Sequence, residues 1–523
     1  MSQICSFRNC KNESYKHHQE CVLHCTKNTY SERDWDWDWD DDTTFCSALV
    51  DFIISNSRDL QNALNSDGFY NLDELTQFLK DDLYRSTALG LCEDTRIQIF
   101  GVKFPHNYDS DPKLDFTNIL TKFKSIRFNV CEFSSPSLDL KDTPHFYQKC
   151  TFFDEWTIGE PKIQEKVNGV LFCECEFNKD VLGLHDNSGG YEYVVEFSLF
   201  KDCVFKSKIS LENINFSRPI FKNTKNKNFE LNNFDISRCT VQDKFILNKL
   251  KAKSLKIEDT EFLSKLELKH GDIDKVKIIN SNFKGLFDAY CTQFDQFSAS
   301  KSIFSDFVGF EKCKFGKPSD EKNVAQFEYV TFLSFTNFRN TVFHQGLNLE
   351  DTNLKEAPNF LNVKFEDGIK NTDRETFRII KNSFDKIGNH IEANKFFAYE
   401  MDRHQQDLKD ESISQEKIIF WLNKYSSNFG QSYLLPIFWL FMSWAVYALI
   451  TAQWATNLLI EHFPKVHGLI AWINDFFNDF FKNAIPFNKL LVKDLEFISL
   501  IFYVICASLL WQTIVALKRH TQR

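Results

Sequence analysis

Through the middle of the chain the apolar positions follow neither the 3.6-residue rhythm of a helix nor the two-residue rhythm of a strand. Ile257, Phe262, Leu268, Ile273, Ile278 and Phe283 succeed one another at intervals of five or six residues. Phe327, Phe332, Phe338, Phe343, Leu349, Leu354, Phe360 and Phe365 do the same, with Ala325, Val330, Thr336, Thr341, Thr352 and Val363 two places before most of them. Such a period is generated by a chain that turns a corner every five residues, four sides closing one coil. Alternate residues of an extended segment share a face, so the large residue and the smaller one two places earlier both point inward. The prediction is a stacked coil with a column of Phe beside a column of small residues. The small position is Cys in the earlier coils, at Cys131, Cys150, Cys175, Cys203 and Cys239, and again at Cys313. Insertions interrupt the pattern at Glu155 to Val167 and at Leu182 to Tyr193.

On either side of this region the period becomes helical. Ala48, Leu49, Phe52 and Ile53 recur at helix spacing, and Asn71 with Glu74 reads as a capping box before Leu75, Phe78 and Leu79. These helices are expected to cap the first coil, because a solenoid must hide its ends. After the last coil, Thr372 and Glu375 read as a second capping box, followed by Phe377, Ile380, Phe384 and Ile387 on one face. Gly388 and Asn389 break that helix, and a second carries Ala393, Phe396, Phe397 and Met401. The charged residues of this pair, including Arg374, Lys381, Lys386 and Glu400, read as an ordinary solvated helix surface.

Two later runs are continuously apolar. Tyr433 to Trp454 and Phe497 to Leu517 are each uncharged and long enough to cross a hydrocarbon core of about 30 Å. Lys518, Arg519, His520 and Arg523 follow the second, which by the positive-inside rule keeps that end, and with it the N-terminal part, in the cytoplasm. Between the runs, Leu469, Trp472, Ile473, Phe476, Phe477, Phe480 and Phe481 alternate with Asn474, Asp475, Asn478, Asp479 and Lys482 in the pattern of an amphipathic helix. Asp475 and Asp479 are candidate pore-lining residues. Ser508, Gln512 and Thr513 share one face of the second run and are candidates for pore lining or for contact between helices.

The five-residue period with its Cys-x-Phe units resembles the pentapeptide-repeat family over roughly Phe128 to Phe365. That resemblance implies a mainly β fold, a right-handed quadrilateral β-helix, here with a small helical cap, a helical hairpin and two C-terminal transmembrane helices. The last hundred residues are similar to bacterial pentapeptide-repeat proteins whose C-terminal part is related to two-helix ion channels. No filter of the potassium-channel type stands between the two runs, so potassium selectivity does not carry over.

Composition sharpens this picture. The 56 Phe against 17 Gly and 11 Pro express the repeated need for a flat interior ring. The net charge of -10 owes much to Asp34, Asp36, Asp38 and Asp40 to Asp42, which interleave with Trp35, Trp37 and Trp39 as a solvated linker. From Lys201 to Lys370 there are 27 Lys and Arg against 23 Asp and Glu, a balance that makes no case for nucleic acid as a partner. The opening residues contain no apolar stretch of the export-signal kind, so the 15 Cys are expected to be reduced.

Cys5, Cys10, Cys21 and His24 offer three thiolates and an imidazole within twenty residues, with Cys25, His17 and His18 as alternatives. A short polar segment cannot bury enough apolar surface to hold itself together, so one structural zinc is expected to supply the folding energy. The spacing resembles small zinc knuckles. Nucleotide loops, nucleophile elbows and catalytic triads are absent from the sequence, so an enzyme is not expected.

The expected organisation is a zinc knuckle at 1–30, an acidic linker and helical cap at 31–110, a β-helix at 111–370, a helical junction at 371–425 and a two-helix transmembrane module at 426–523. The expected function is an oligomeric ion channel or membrane-permeabilising effector of the inner membrane. Both termini would be cytoplasmic, and the solenoid would sense a cytoplasmic protein or ligand. The alternative is a membrane-tethered binding scaffold without conductance.

Overall fold

A computed structural model describes residues 4–7, 10–15, 19–25, 39–65, 72–81, 87–105, 116–140, 142–159, 169–184, 193–222, 229–318, 323–408, 415–459 and 496–521. The chain divides into two compact units, Met1–Asn371 and Thr372–Arg523.

The first unit is a parallel β-solenoid preceded by helices. In its most regular part each coil adds 21 residues, so that Val241, Phe262, Phe283 and Phe304 stand in register in four successive strands. The small residue and the ring two places later are both buried, as in Cys131 and Phe133 or Cys150 and Phe152. Rings in register stack face to face: Phe104, Phe133, Phe152, Phe177 and Phe205 at 4.9, 5.0, 4.6 and 5.2 Å. A later column places Phe262, Phe283, Phe304 and Phe332 at 5.1, 4.6 and 5.2 Å. Aromatic pairs of this kind add to the burial of their area.

The corners are set by backbone conformation. Arg238, Lys249, Asp259, His270, Asn280, Cys291, Lys301 and Lys312 all have positive φ, two per coil at 10 or 11 residue intervals. Between corners the chain also runs as longer strands, such as Phe229–Ser237 and Leu250–Glu258. Each left-handed corner exposes backbone groups that need partners, and the small ladder residue supplies them. The Ser281 hydroxyl donates to Ile279 O at 2.7 Å and accepts from Thr260 N at 3.2 Å, and Ser302 repeats both bonds one coil on. Cys thiols at the same position donate weakly, as Cys239 does to Ser237 O at 3.2 Å. This is why Cys, Thr and Ser interchange along the column.

The parallel pairing begins earlier than the periodicity indicates. Arg96–Phe100 pairs with Ser125–Asn129 and Lys103–Phe104 with Glu132–Phe133, so the first coil begins within the 31–110 stretch assigned to the cap. A short helix interrupts the spacing there and hides the repeat. The helices before and within this coil are α1 (Trp39–Asn56), α2 (Arg58–Asn65), α3 (Leu72–Asp81), α4 (Thr87–Asp94) and α5 (Phe116–Leu120). Phe45 of α1 and Phe116 of α5 pack on Phe104, the first ring of its column, at 6.0 and 5.3 Å. The helices therefore close the end of the aromatic stack. Asn71, proposed as a cap for α3, lies outside the described residues, as do most of the insertions at 155–167 and 182–193 and the acidic run through residue 38.

The second unit is helical: α6 (Arg374–Lys386), α7 (His390–Asp407), α8 (Gln415–Ser427), α9 (Leu434–Leu459) and α10 (Glu496–Thr521). Asp373, not Thr372, caps α6, its carboxylate accepting from Thr376 N. The carboxylate also accepts from the Thr376 hydroxyl at 2.8 Å, a second bond that favours Asp at this place. Gly388 ends the helix at φ +75, and the side chain of Asn389 caps α7. Phe384 and Phe396 stack at 5.6 Å between the two.

Helices α9 and α10 contain the stretches Leu434–Ala452 and Phe497–Arg519, both long and apolar enough to cross a membrane. They pair along one face, where Tyr447 stacks on Phe502 at 4.0 Å and its hydroxyl bonds the Ser499 hydroxyl at 2.8 Å. Their other faces carry exposed apolar side chains, including Phe438, Phe441, Val504 and Trp511. In water such a surface would be costly to maintain.

Candidate metal centre

The N-terminal segment folds back on itself through an antiparallel bridge between Ile4 and Glu13 and a turn at Cys21 to Cys25. In that turn His24 N and Cys25 N both donate to Cys21 O at 2.9 Å, which points Cys21 and His24 the same way. Cys5 N donates to Asn12 O and Ser6 N to Gln19 O, bringing the first cysteine to the turn. As a result one ligand atom from each of Cys5, Cys10, Cys21 and His24 lies within 4.8 Å of every other. These four are the residues singled out by their spacing. His17 and His18 lie outside the described residues, and Cys25 turns its thiol to Val22 O instead.

A tetrahedral zinc with arms of about 2.3 Å to sulfur has edges of about 3.8 Å. Cys10 Sγ and Cys21 Sγ are 3.8 Å apart, and Cys5 Sγ lies 3.6 Å and Cys21 Sγ 3.1 Å from His24 Nδ1. The cluster has the donors and the size to hold a metal ion. Cys21 N donates to Cys5 Sγ at 3.1 Å and Asn12 Nδ2 to Cys21 Sγ at 3.9 Å, bonds of the sort that orient thiolate ligands. Burial pushes the Cys10 thiol up to about 12 and raises that of Cys21 as well, so the protein by itself does not favour thiolates here. A divalent cation would supply the charge that does.

The clip is fastened to the first coil. Lys103 N donates to Leu23 O at 2.8 Å, and Lys103 Nζ lies 3.7 Å from Glu20 and 3.6 Å from Glu132. Phe7 stacks on the His24 ring at 4.0 Å and packs against Phe100. Phe7 had no place in the sequence argument, and nothing in the spacing marks it.

The polar face of the second apolar run is distributed differently. Gln512 Oε1 accepts from the Ser427 hydroxyl at 2.9 Å, and its Nε2 donates to Asn423 Oδ1 at 2.9 Å, tying α10 to α8. The Ser508 hydroxyl donates to Val504 O and that of Thr513 to Leu509 O, each within its own helix. Asp475 and Asp479 lie outside the described residues. Of the charged residues in the helical pair, Glu400 is buried and Lys381 lies over the Phe397 ring at 5.2 Å.

No known protein family, curated protein or solved structure matches the chain.

Proposed function

We propose that this is a membrane-anchored pentapeptide-repeat protein whose solenoid, a right-handed four-sided coil closed at its start by a zinc clip, serves as a tethered binding platform for a cytoplasmic protein or ligand. Zinc sits on Cys5, Cys10, Cys21 and His24 and is structural. Helices α9 and α10 cross the inner membrane and leave both termini in the cytoplasm. The protein performs no chemistry of its own.

The observation that carries the reading is the outward-facing apolar surface of α9 and α10, which remains over much of both helices beyond the face they share and their contacts with α8. Trp511 is 65% exposed in the middle of its helix, whereas a core helix of a soluble domain would bury such a ring. Lipid is the solvent that suits it.

Conduction is the second reading, and the same open faces favour it, since they leave room for neighbouring copies to complete a pore. The platform is preferred because Gln512 is engaged with Ser427 and Asn423 while the Ser508 and Thr513 hydroxyls bond to their own helix. The experiment is alkaline carbonate extraction of membranes containing the full-length protein, followed by single-channel and dye-leakage recording in liposomes. Retention in the membrane with silent liposomes is expected. Release by carbonate would overturn the membrane reading, and reproducible conductance would replace the platform with a channel.

A further inference from the structure

The second unit contains an open cavity of about 880 Å³ lined by residues of α6, α7, α8 and α10. Its polar lining holds two guanidinium groups, Arg374 and Arg519, with His404, Glu416 and the amides of Gln415, Asn423 and Gln512. Arg374 has no hydrogen-bond or ion-pair partner among the described residues, and its Nε is shut away from water. Buried guanidinium N-H groups without partners are costly, and a guanidinium is shaped to take two oxygens of a phosphate.

The neighbouring Arg519 and His404 side chains have donors to spare. Arg519 donates to Phe429 O and stacks over the Phe397 ring at 4.7 Å, which leaves most of its five donors unspent. His404 Nε2 lies 3.4 Å from Glu416, and its Nδ1 is buried without a partner. Glu416 itself is 68% exposed at its side chain, so water can take it if an anion enters.

The remaining walls are apolar, with Phe397, Met401, Ile419, Trp511 and Val515 prominent among them. Trp511 and Val515 belong to the stretch of α10 long enough to cross a membrane, and Ile419 belongs to α8, which also exposes Ile418, Trp421 and Leu422. The cavity thus holds two guanidinium groups and runs out onto a surface suited to acyl chains. A free phosphate would need only a small part of the volume, given that a water molecule claims about 30 Å³.

We infer that this cavity binds one anionic phospholipid, its phosphate on Arg374 and Arg519 and its acyl chains along the Ile419 and Trp511 wall. Basic pockets beside membrane helices are a recognised way of holding such headgroups. The site rests on the reading that α9 and α10 cross a membrane. The lipid would fasten α6 and α7 to the base of α10, so that headgroup composition sets the stability of the junction.

The test is native mass spectrometry of the full-length protein from detergent micelles doped with equal amounts of phosphatidylglycerol and phosphatidylcholine. One phosphatidylglycerol is expected to be retained in preference. Arg374→Gln is expected to weaken retention roughly tenfold, the size of one charge-assisted hydrogen bond, with the lipid-free melting temperature unchanged because Arg374 has no protein partner to lose. Equal retention of both lipids, or retention indifferent to Arg374→Gln, overturns the site. Displacement of the lipid by millimolar inorganic phosphate would point to a soluble phosphate ligand and overturn the lipid assignment. Carbonate extraction of the membranes from which the protein is purified separates the two levels: release fails the membrane reading, whereas retention without lipid preference fails this site alone.

Discussion

The Phe7 ring lies flat on the His24 imidazole, their centroids 4.0 Å apart and their planes 9° from parallel. It can do so because residue 101 has no side chain: a Cβ built there would stand 2.3 Å from Phe7 Cζ. Gly101 also has φ +74, a conformation that glycine adopts without strain. One corner of the first coil therefore forms the seat for the segment that carries the Cys/His cluster.

The first prediction concerns the metal. Full-length protein purified without chelator should carry one equivalent of zinc, measured by inductively coupled plasma mass spectrometry, and the Cys5→Ser, Cys10→Ser double variant should carry none. Cobalt substitution should give the intense visible absorption of a tetrahedral thiolate site. Zinc-free wild-type protein would remove the clip from the account.

Gly101→Ala should weaken metal binding without touching a ligand, because the new methyl group must displace Phe7. The expected readout is faster zinc loss to a chelating dye than from wild type. Gly101→Ala combined with Phe7→Ala should recover part of the difference, since the clash is then gone. Equal rates in all three proteins would show that the seat does not support the clip.

Removing a ring from the middle of a stack should be expensive. Phe283 lies between Phe262 and Phe304 at 5.1 and 4.6 Å and is fully buried. Phe283→Ala should cost the solenoid about 3–5 kcal/mol, read by denaturant unfolding followed in the β-sheet region of the circular dichroism spectrum. A loss below about 1 kcal/mol would mean the stacks contribute little beyond filling space.

Val130 occupies a left-handed corner at φ 57 although it is β-branched and exposed. Other corners use Asn, as at Asn213, Asn280, Asn340 and Asn362, which tolerates this region. Val130→Asn should stabilise the solenoid by about 1 kcal/mol and raise its melting temperature.

Acid should destabilise the solenoid through His145. Burial lowers its imidazole from 6.5 to about 4, while its Nδ1 donates to Thr143 O at 2.9 Å. The unfolded chain then binds a proton that the folded chain refuses, so stability is intact above pH 6.5 and declines as the pH falls towards 4. The full contribution is about 3 kcal/mol. His145→Gln keeps a donor but cannot titrate, and its melting temperature should vary less between pH 7 and pH 4. Parallel pH profiles for the two proteins would assign the acid sensitivity elsewhere.

The sequence by itself determined most of what repeats or runs continuously. Phe262 and Phe283 could be placed on inward-facing sides from their spacing because every coil buries the same position, and burial is the property that periodicity records. The two apolar runs were legible for the same reason, since crossing a membrane is a demand on composition over a fixed length. The four members of the Cys/His cluster were legible because they lie close together along the chain. Only the tertiary structure decided what depends on residues that approach from far apart. It started the ladder at Arg96 behind an interrupting helix, and gave the α6 cap to Asp373 rather than Thr372. It also joined Gln512 to Ser427 and Asn423 across 85 and 89 residues, laid Phe7 over Gly101, and gathered Arg374 and Arg519 around one cavity. A local pattern reports which side of an element is buried; it carries no record of which distant element is buried against it.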